Sequence, residues 1–283
     1  MKSAFITGAA TGIGEALVVR LQREDWQVFA GYRNNPPDQA RWFGMPNVNA
    51  LACDVTDGDQ VVAATNLVSE RTGGKLDLLI NNAGYSPREG VIEAANMNEY
   101  RRAFEVNFWG PVQMVQAMTP LLRQSKGRII NTTSAQVYIT IPMYSAYPSS
   151  KAALRTFTQH LRMELAPFGI EVTELVPGGV ETPMIELGAE VDARQWATIP
   201  EPLREQYRQH FLPGASAIEG NFKFVQPDVF ADAVWKKIIA AKRLKLFYTI
   251  GPQVAALPLL HRLLPAQQVQ NMWRRKFSTK RGV

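Results

Sequence analysis

Thr7-Gly8-Ala9-Ala10-Thr11-Gly12-Ile13-Gly14 is the stretch on which the reading of this chain turns. An apolar run at 4–7 leads into it and a helical pattern at 14–23 leaves it. The three glycines therefore sit on a strand-to-helix turn at the start of the chain. Glycine lets the backbone turn sharply and approach a bound group closely. The helix that follows offers free N–H groups at the positive end of its dipole. A pyrophosphate uses all of these properties. Glycines also serve plain turns, and Gly8, Gly12 and Gly14 are spaced G-x-x-x-G-x-G rather than G-x-G-x-x-G. The position of the motif thus counts as much as its letters.

Outward from this turn, short apolar runs at 4–7, 27–30, 48–53, 76–81, 127–132, 171–175 and 246–250 alternate with helical patterns near 14–23, 59–71, 97–123, 149–166 and 227–241. The alternation predicts an α/β fold of Rossmann type, a doubly wound parallel sheet of about seven strands with helices on both faces. Several strands are unbroken apolar runs, as burial on both faces requires. Ligands of such sheets collect at the carboxyl ends of the strands. The chain reads as one domain over 1–251 followed by a basic extension over 252–283. Within the domain, 183–226 lacks a strand pattern and carries Pro183, Pro200, Pro202, Pro213, Gly214 and Gly220. It reads as a lid over a binding site, or alternatively as a surface excursion.

The 283 residues, 46% of them apolar, suffice for a core without staples. The single cysteine, Cys53, cannot form an intrachain disulfide, which fits a reducing compartment. Disordered, collagenous and disulfide-framework classes are excluded. With no secretory h-region at the start and no apolar run near the roughly 18 residues of a spanning helix, the expectation is a cytoplasmic protein, at most peripheral to a membrane. Charge is unevenly placed. Eleven of the 31 basic residues follow Asp232, the last acidic one, which leaves 20 basic against 25 acidic residues before them. The tail combines Leu257, Leu259, Leu260, Leu263 and Leu264 with Trp273-Arg274-Arg275-Lys276, interrupted by Pro258 and Pro265. Three readings stand: contact with an anionic membrane surface, packing near the cleft or a partner subunit, and a solvated face. No base-reading module accompanies the charge, so nucleic acid is not an expected partner.

Six motifs now fall in order: the glycine turn, Asn81-Asn82-Ala83-Gly84 after the fourth strand, Asn107 in the next helical pattern, Ser134 after the fifth strand, Tyr147-Pro148-Ser149-Ser150-Lys151 opening another helix, and Pro177-Gly178 after the sixth strand. Together they resemble the compact branch of the short-chain dehydrogenase/reductase family, over roughly 1–182 and more loosely to the strand near 250. The resemblance implies an NAD(P)-dependent enzyme that interconverts an alcohol and a ketone or aldehyde by hydride transfer. It implies Tyr147 as general acid/base and Lys151 as the group that lowers its pKa and binds the nicotinamide ribose. Ser134 would donate to the substrate carbonyl, and Asn107 would hold a water that links the lysine to solvent. Dinucleotide contacts are implied for Gly8, Thr11, Gly12, Ile13 and Gly14, for Asp54 and Val55 at the adenine, and for Asn81, Ala83 and Gly84. Pro177, Gly178, Val180 and Thr182 are implied at the carboxamide end, and a homodimer or homotetramer through the helices near 97–123 and 149–166.

The residues have their own chemistry beside this. Tyr147 and Lys151 are four apart and share a helix face. Pro148 puts Tyr147 in the first helical turn, where the dipole favours an anion. A free tyrosine titrates near about 10, and an adjacent ammonium favours the phenolate. Asn107 also reads as a residue accommodating a kink at Gly110-Pro111. Asp54-Val55-Thr56-Asp57 also reads as the cap of the next helix. No carboxylate lies between Trp26 and Asp38, and Arg33 is a planar donor suited to phosphate, so NADP(H) is expected over NAD(H). The alternative for Arg33 is a solvated loop residue.

Met184, Ile185, Leu187, Trp196, Ile199 and Tyr207, with Tyr138, Ile139, Ile141, Met143 and Tyr144, predict an apolar substrate pocket, unless they simply pack the lid on the body. None of His160, His210 and His261 has a His or Cys at ligand spacing, so no metal is expected. A dinucleotide-binding regulator without catalysis is the rival reading; the intact set of Asn107, Ser134, Tyr147 and Lys151 speaks against it.

Overall fold

The computed structural model describes residues 1–34, 38–87, 90–185, 189–211 and 222–277. Its main sheet has seven parallel strands: β1 Ser3–Ile6, β2 Gln27–Tyr32, β3 Val48–Ala52, β4 Leu78–Asn81, β5 Arg128–Thr132, β6 Glu171–Pro177 and, after a separate pair β7 Gly179–Val180 and β8 Phe224–Val225, β9 Phe247–Ile250. Their spatial order is β3-β2-β1-β4-β5-β6-β9. Ala4 pairs with Val28 on one side and with Leu78 on the other, so the winding reverses between β1 and β4. That reversal opens a crevice at the carboxyl ends of those two strands.

Side chains alternate across the sheet. Ala4 and Ile6 point into a core with Leu17 and Leu21 of α1 Gly12–Gln22 and with Phe230 and Val234 further along the chain. Phe5 and Phe29 point to the opposite face, against α2 Gly58–Thr72 and the apolar side of the helices near 97–125 and 146–165. Each of these phenylalanines is wholly buried, worth roughly 1.5–3 kcal/mol. Asp57 caps α2, accepting from the N–H groups of Asp59 and Gln60, and Gly73 in the left-handed region ends it. Of the Asp54–Asp57 run, the capping residue is therefore Asp57.

The helical stretch expected at 97–123 runs on through Gly110-Pro111 to Ser125. Helix α3 Met97–Phe104 widens into a π turn at Glu105–Trp109 and continues as α4 Gly110–Ser125. Pro111 falls in the first turn after the π segment, where a missing N–H is tolerated. Then come α5 Ala146–Leu165, α6 Ala189–Ala197, α7 Leu203–Arg208 and α8 Pro227–Val234. Among its described residues the expected lid thus holds two short helices and the two-residue strand β8, too short to register as a pattern. Leu187, Pro213, Gly214 and Gly220 lie outside the described residues. Trp196 and Ile199 are buried with Val91 and Met143, and Leu203 and Tyr207 pack on them. These side chains fix the excursion to the body.

The tail forms α9 Leu257–Leu263 and α10 Ala266–Phe277. Val254, Leu257, Val269, Trp273 and Phe277 cover Tyr138, Ile139, Ile141 and Val176. Trp273 Nε1 donates to the Tyr138 carbonyl at 3.1 Å, and His261 Nε2 lies 2.7 Å from the same oxygen. Of the three readings of the tail, packing beside the cleft describes Leu257, Val269, Trp273 and Phe277, while Leu259, Leu263, Leu264, Arg274 and Arg275 remain exposed. No described helix is long and apolar enough to cross a membrane.

Candidate active site

The glycine turn closes on itself and is braced from β4. Gly8 and Gly12 have φ of 64° and 59°, the left-handed region that favours glycine. A Cβ on Gly14 would lie 2.1 Å from the Gly8 carbonyl oxygen, so the first turn of α1 can pack on the loop only as glycine. No side chain caps α1 at Thr11, which leaves its N-terminus to a ligand. The Thr7 hydroxyl oxygen accepts from the backbone N–H groups of Asn82 and Ala83, each at 2.9 Å. The Asn82 amide donates to the carbonyls of Thr7 and Gly8 at 3.1 and 3.2 Å. Trp42 Nε1 donates to the Ala9 carbonyl at 2.7 Å. Asn82 and Trp42 support the site without having been singled out in the sequence. Asn82 stood in the quoted Asn81–Gly84 motif, whereas Trp42 has no local signal.

From this turn a cleft of about 440 Å³ runs to the carboxyl end of β5 and the start of α5. There Ser134, Tyr147 and Lys151 converge. Ser134 hydrogen-bonds the Tyr147 hydroxyl. Lys151 Nζ donates to the Thr132 carbonyl at 2.9 Å and stands 5.8 Å from the centre of the Tyr147 ring. Burial pushes the Tyr147 phenol above its ordinary range, and the Ser134 hydrogen bond pulls against it. Burial also brings the Lys151 ammonium down to about 8. An adjacent ammonium was expected to favour the phenolate; burial is the largest influence on Tyr147 and acts in the opposite direction, while the Ser134 hydrogen bond lowers its pKa.

A family model described as short chain dehydrogenase matches residues 2–191. The chain belongs to the short chain dehydrogenase family. It is 34% identical over 246 residues to the NADPH-dependent 1-acyldihydroxyacetone phosphate reductase of Schizosaccharomyces pombe, covering 86% of this chain and 80% of that protein. Among solved structures, a short-chain dehydrogenase from Streptomyces avermitilis superposes with a TM-score of 0.76 at 24% identity, over 96% of this chain and 94% of the other. One from Burkholderia cenocepacia in complex with NADP gives 0.73 at 24% identity, over 96% and 99%. The family fold and the oxidoreductase class are thereby settled.

In this short chain dehydrogenase the cleft wall includes Gly8, Thr11, Gly12 and Ile13 at the turn, Arg33, Asp54 and Val55 at one end, and Ala83 and Gly84 in the middle. Pro177, Gly178, Val180 and Thr182 line it as well, with Thr182 against Gly12 of the turn. Gly14, Asn81 and Asn107 stand behind that wall. Asn81 donates to Asn131 Oδ1 at 2.8 Å, and Asn131 donates to Thr158 at 2.9 Å, tying β4 to β5 and α5. Asn107 lies on the π turn and is fully buried. Its Oδ1 accepts from the Tyr85 N–H at 2.8 Å, and its Nδ2 donates to the Tyr85 carbonyl and to Ser150 at 2.8 and 2.9 Å.

Asp54 Oδ1 accepts from the N–H and hydroxyl of Thr56 at 3.0 and 2.8 Å, so its carboxylate is already partly engaged at the rim. Arg33 is exposed beside it. Of the expected apolar pocket, Tyr144, Met184 and Ile185 line the cleft. Tyr138, Ile139 and Ile141 face the tail instead, and Met143 faces the lid helices. Cys53 also lines the wall, with a thiol pushed up to about 12 by burial and by Asp54 and Asp57. The close glycine turn, the uncapped helix end and the elongated cleft fit a dinucleotide.

Proposed function

We propose that this chain is an NADP(H)-dependent oxidoreductase that interconverts an alcohol with a ketone or aldehyde on an apolar substrate, with Tyr147 as general acid/base. The observation that carries the reading is the convergence of Ser134, Tyr147 and Lys151 at one end of a dinucleotide-sized cleft whose other end bears Arg33. When bound, the dinucleotide supplies or accepts the hydride and, oxidised, adds a positive charge that favours the phenolate. The glycine turn and the N-terminus of α1 would hold its pyrophosphate, and Arg33 the 2′-phosphate.

Ser134 donates a hydrogen bond to the substrate oxygen and fixes the reacting carbon. Tyr147 gives a proton to that oxygen in reduction and takes one from it in oxidation. Lys151, anchored on the Thr132 carbonyl, would offer its remaining N–H groups to the ribose of the bound dinucleotide. The name of the S. pombe relative pairs NADPH with a reductase activity, which supports the cofactor and the reaction class. Met184 and Ile185 at the cleft, partly exposed, supply the apolar wall. Exposed Met163 and Phe168, on and just after α5, fit association of two copies through this side of the molecule.

The test is NADPH and NADH oxidation against aldehydes and ketones of increasing chain length, with 1-acyldihydroxyacetone phosphate among them. Rates should be higher with NADPH and rise with apolar length, and Arg33→Asp should move the preference toward NADH. Tyr147→Phe should lower kcat by about 10²–10⁴-fold with NADPH affinity retained. Turnover retained in Tyr147→Phe overturns the reading.

A further inference from the structure

Among the described residues two charged side chains are buried, Lys151 and Glu174. Glu174 is 2% exposed and belongs to β6, between β5, whose end leads to Ser134, and the outer strand β9. A carboxylate in such a place is costly unless partnered, and replacing a buried ion pair with apolar residues often leaves stability unchanged or improved. Stability alone therefore does not account for it, and its two partners suggest what does. Oε1 accepts from the Thr133 hydroxyl at 2.7 Å, and Oε2 lies 3.6 Å from Arg155 Nε. Burial raises the Glu174 carboxyl, while Thr133 and Arg155 pull it back toward the ionised form.

Thr133 immediately precedes Ser134. Its N–H also donates to the Leu175 carbonyl at 2.8 Å, so both its backbone and its side chain are held by β6. Arg155 is one helical step beyond Lys151 and two beyond Tyr147, on the same face of α5. Its guanidinium lies 4.5 Å from the centre of the Tyr138 ring. One carboxylate thus holds both elements of the site: the end of β5 that presents Ser134, and the helix that presents Tyr147 and Lys151.

We propose that Glu174 is a positioning residue that sets the distance between Ser134 and Tyr147 by gripping Thr133 and Arg155 together. The proposal rests on the roles given above to Ser134 and Tyr147. It predicts a hierarchy that a merely structural ion pair does not. Thr133→Val and Glu174→Leu each remove the Thr133–carboxylate hydrogen bond, whereas Thr133→Ser and Glu174→Gln keep a hydroxyl donor and an oxygen acceptor.

The experiment measures kcat and KM for NADPH with 2-decanone as the probe ketone for these four variants and for Ser134→Ala. It adds crystal structures of the wild type and Thr133→Val. Thr133→Val and Glu174→Leu should lower kcat by about tenfold with the NADPH KM within about twofold, and the double variant should be no worse than either single one. The Ser and Gln variants should stay near wild type. The Ser134–Tyr147 hydrogen bond should be broken or lengthened in Thr133→Val crystals. An intact Ser134–Tyr147 geometry in Thr133→Val overturns the proposal, as do losses that multiply in the double variant. If Ser134→Ala leaves kcat unchanged, the assigned role of Ser134 fails instead, and the crystal comparison still decides whether Glu174 positions it.

Discussion

Lys151 meets two demands that conflict. Its ammonium must stand in the cleft beside Tyr147, yet the surroundings that exclude water bring its pKa from the ordinary lysine range down to about 8. An unfolded chain keeps such a lysine protonated to about 10.4. Between those values the unfolded state holds more protons, so the stability contributed by this site rises as pH climbs from about 8 toward 10. Below that window the full cost of the buried charge applies. Tyr147, raised by burial, opposes the trend only above the ordinary tyrosine range near about 10. Lys151→Met should therefore melt at a higher temperature than wild type at pH 7, and scanning calorimetry should show the gap narrowing by pH 9.5. A gap that does not change with pH would show that the lysine is not desolvated. Tyr147, Lys151 and Ser134 were legible because their spacing reports on one helix turn and one strand end. Glu174 was not, because a carboxylate within an apolar strand carries no sign of which partner will reach it.

At the scale of elements, the glycine turn and α1 form one rigid unit. Gly14 meets the Gly8 carbonyl oxygen, and Asn82 holds that same oxygen from β4. A methyl group at position 14 cannot be absorbed by a side-chain rotation, because its neighbour is backbone. Gly14→Ala should push α1 off the loop and destabilise the protein by roughly 1–3 kcal/mol. NADPH affinity should fall more than the melting temperature suggests, since the helix end aimed at the pyrophosphate moves with it. Fluorescence titration of NADPH against a thermal melt separates the two effects, and wild-type affinity in Gly14→Ala would show that the loop tolerates the shift. The alternation of strands and helices was readable because each main strand is a short apolar run and each main helix a longer pattern. The π turn at Glu105–Trp109 was not, since its letters fit an ordinary helix until Asn107 has to reach Tyr85 and Ser150. The two-residue β8 left no periodicity to read.

For the whole molecule, the charge imbalance left residues after 251 open to a membrane surface, to packing near the cleft or a partner subunit, or to solvent. Their packing gives them a structural task. Val254, Leu257, Val269, Trp273 and Phe277 bury themselves on Tyr138, Ile139 and Ile141, just downstream of Thr133 and Ser134, and on Val176 of β6. At roughly 1.5–3 kcal/mol for each buried side chain, these five match the 5–15 kcal/mol that separates a typical folded domain from its unfolded state. The Tyr138 carbonyl would also lose both of its side-chain partners from the tail, Trp273 and His261. A chain ending at Gly251 should therefore fail to give a cooperative thermal transition and should bind NADPH at least about tenfold more weakly than the full chain. Trp273→Phe, which keeps a smaller aromatic ring and removes the N–H donor, should fall between the two. Calorimetry and NADPH titration on the three proteins decide the matter: a sharp transition and full affinity in the 1–251 chain would make the tail an appendage.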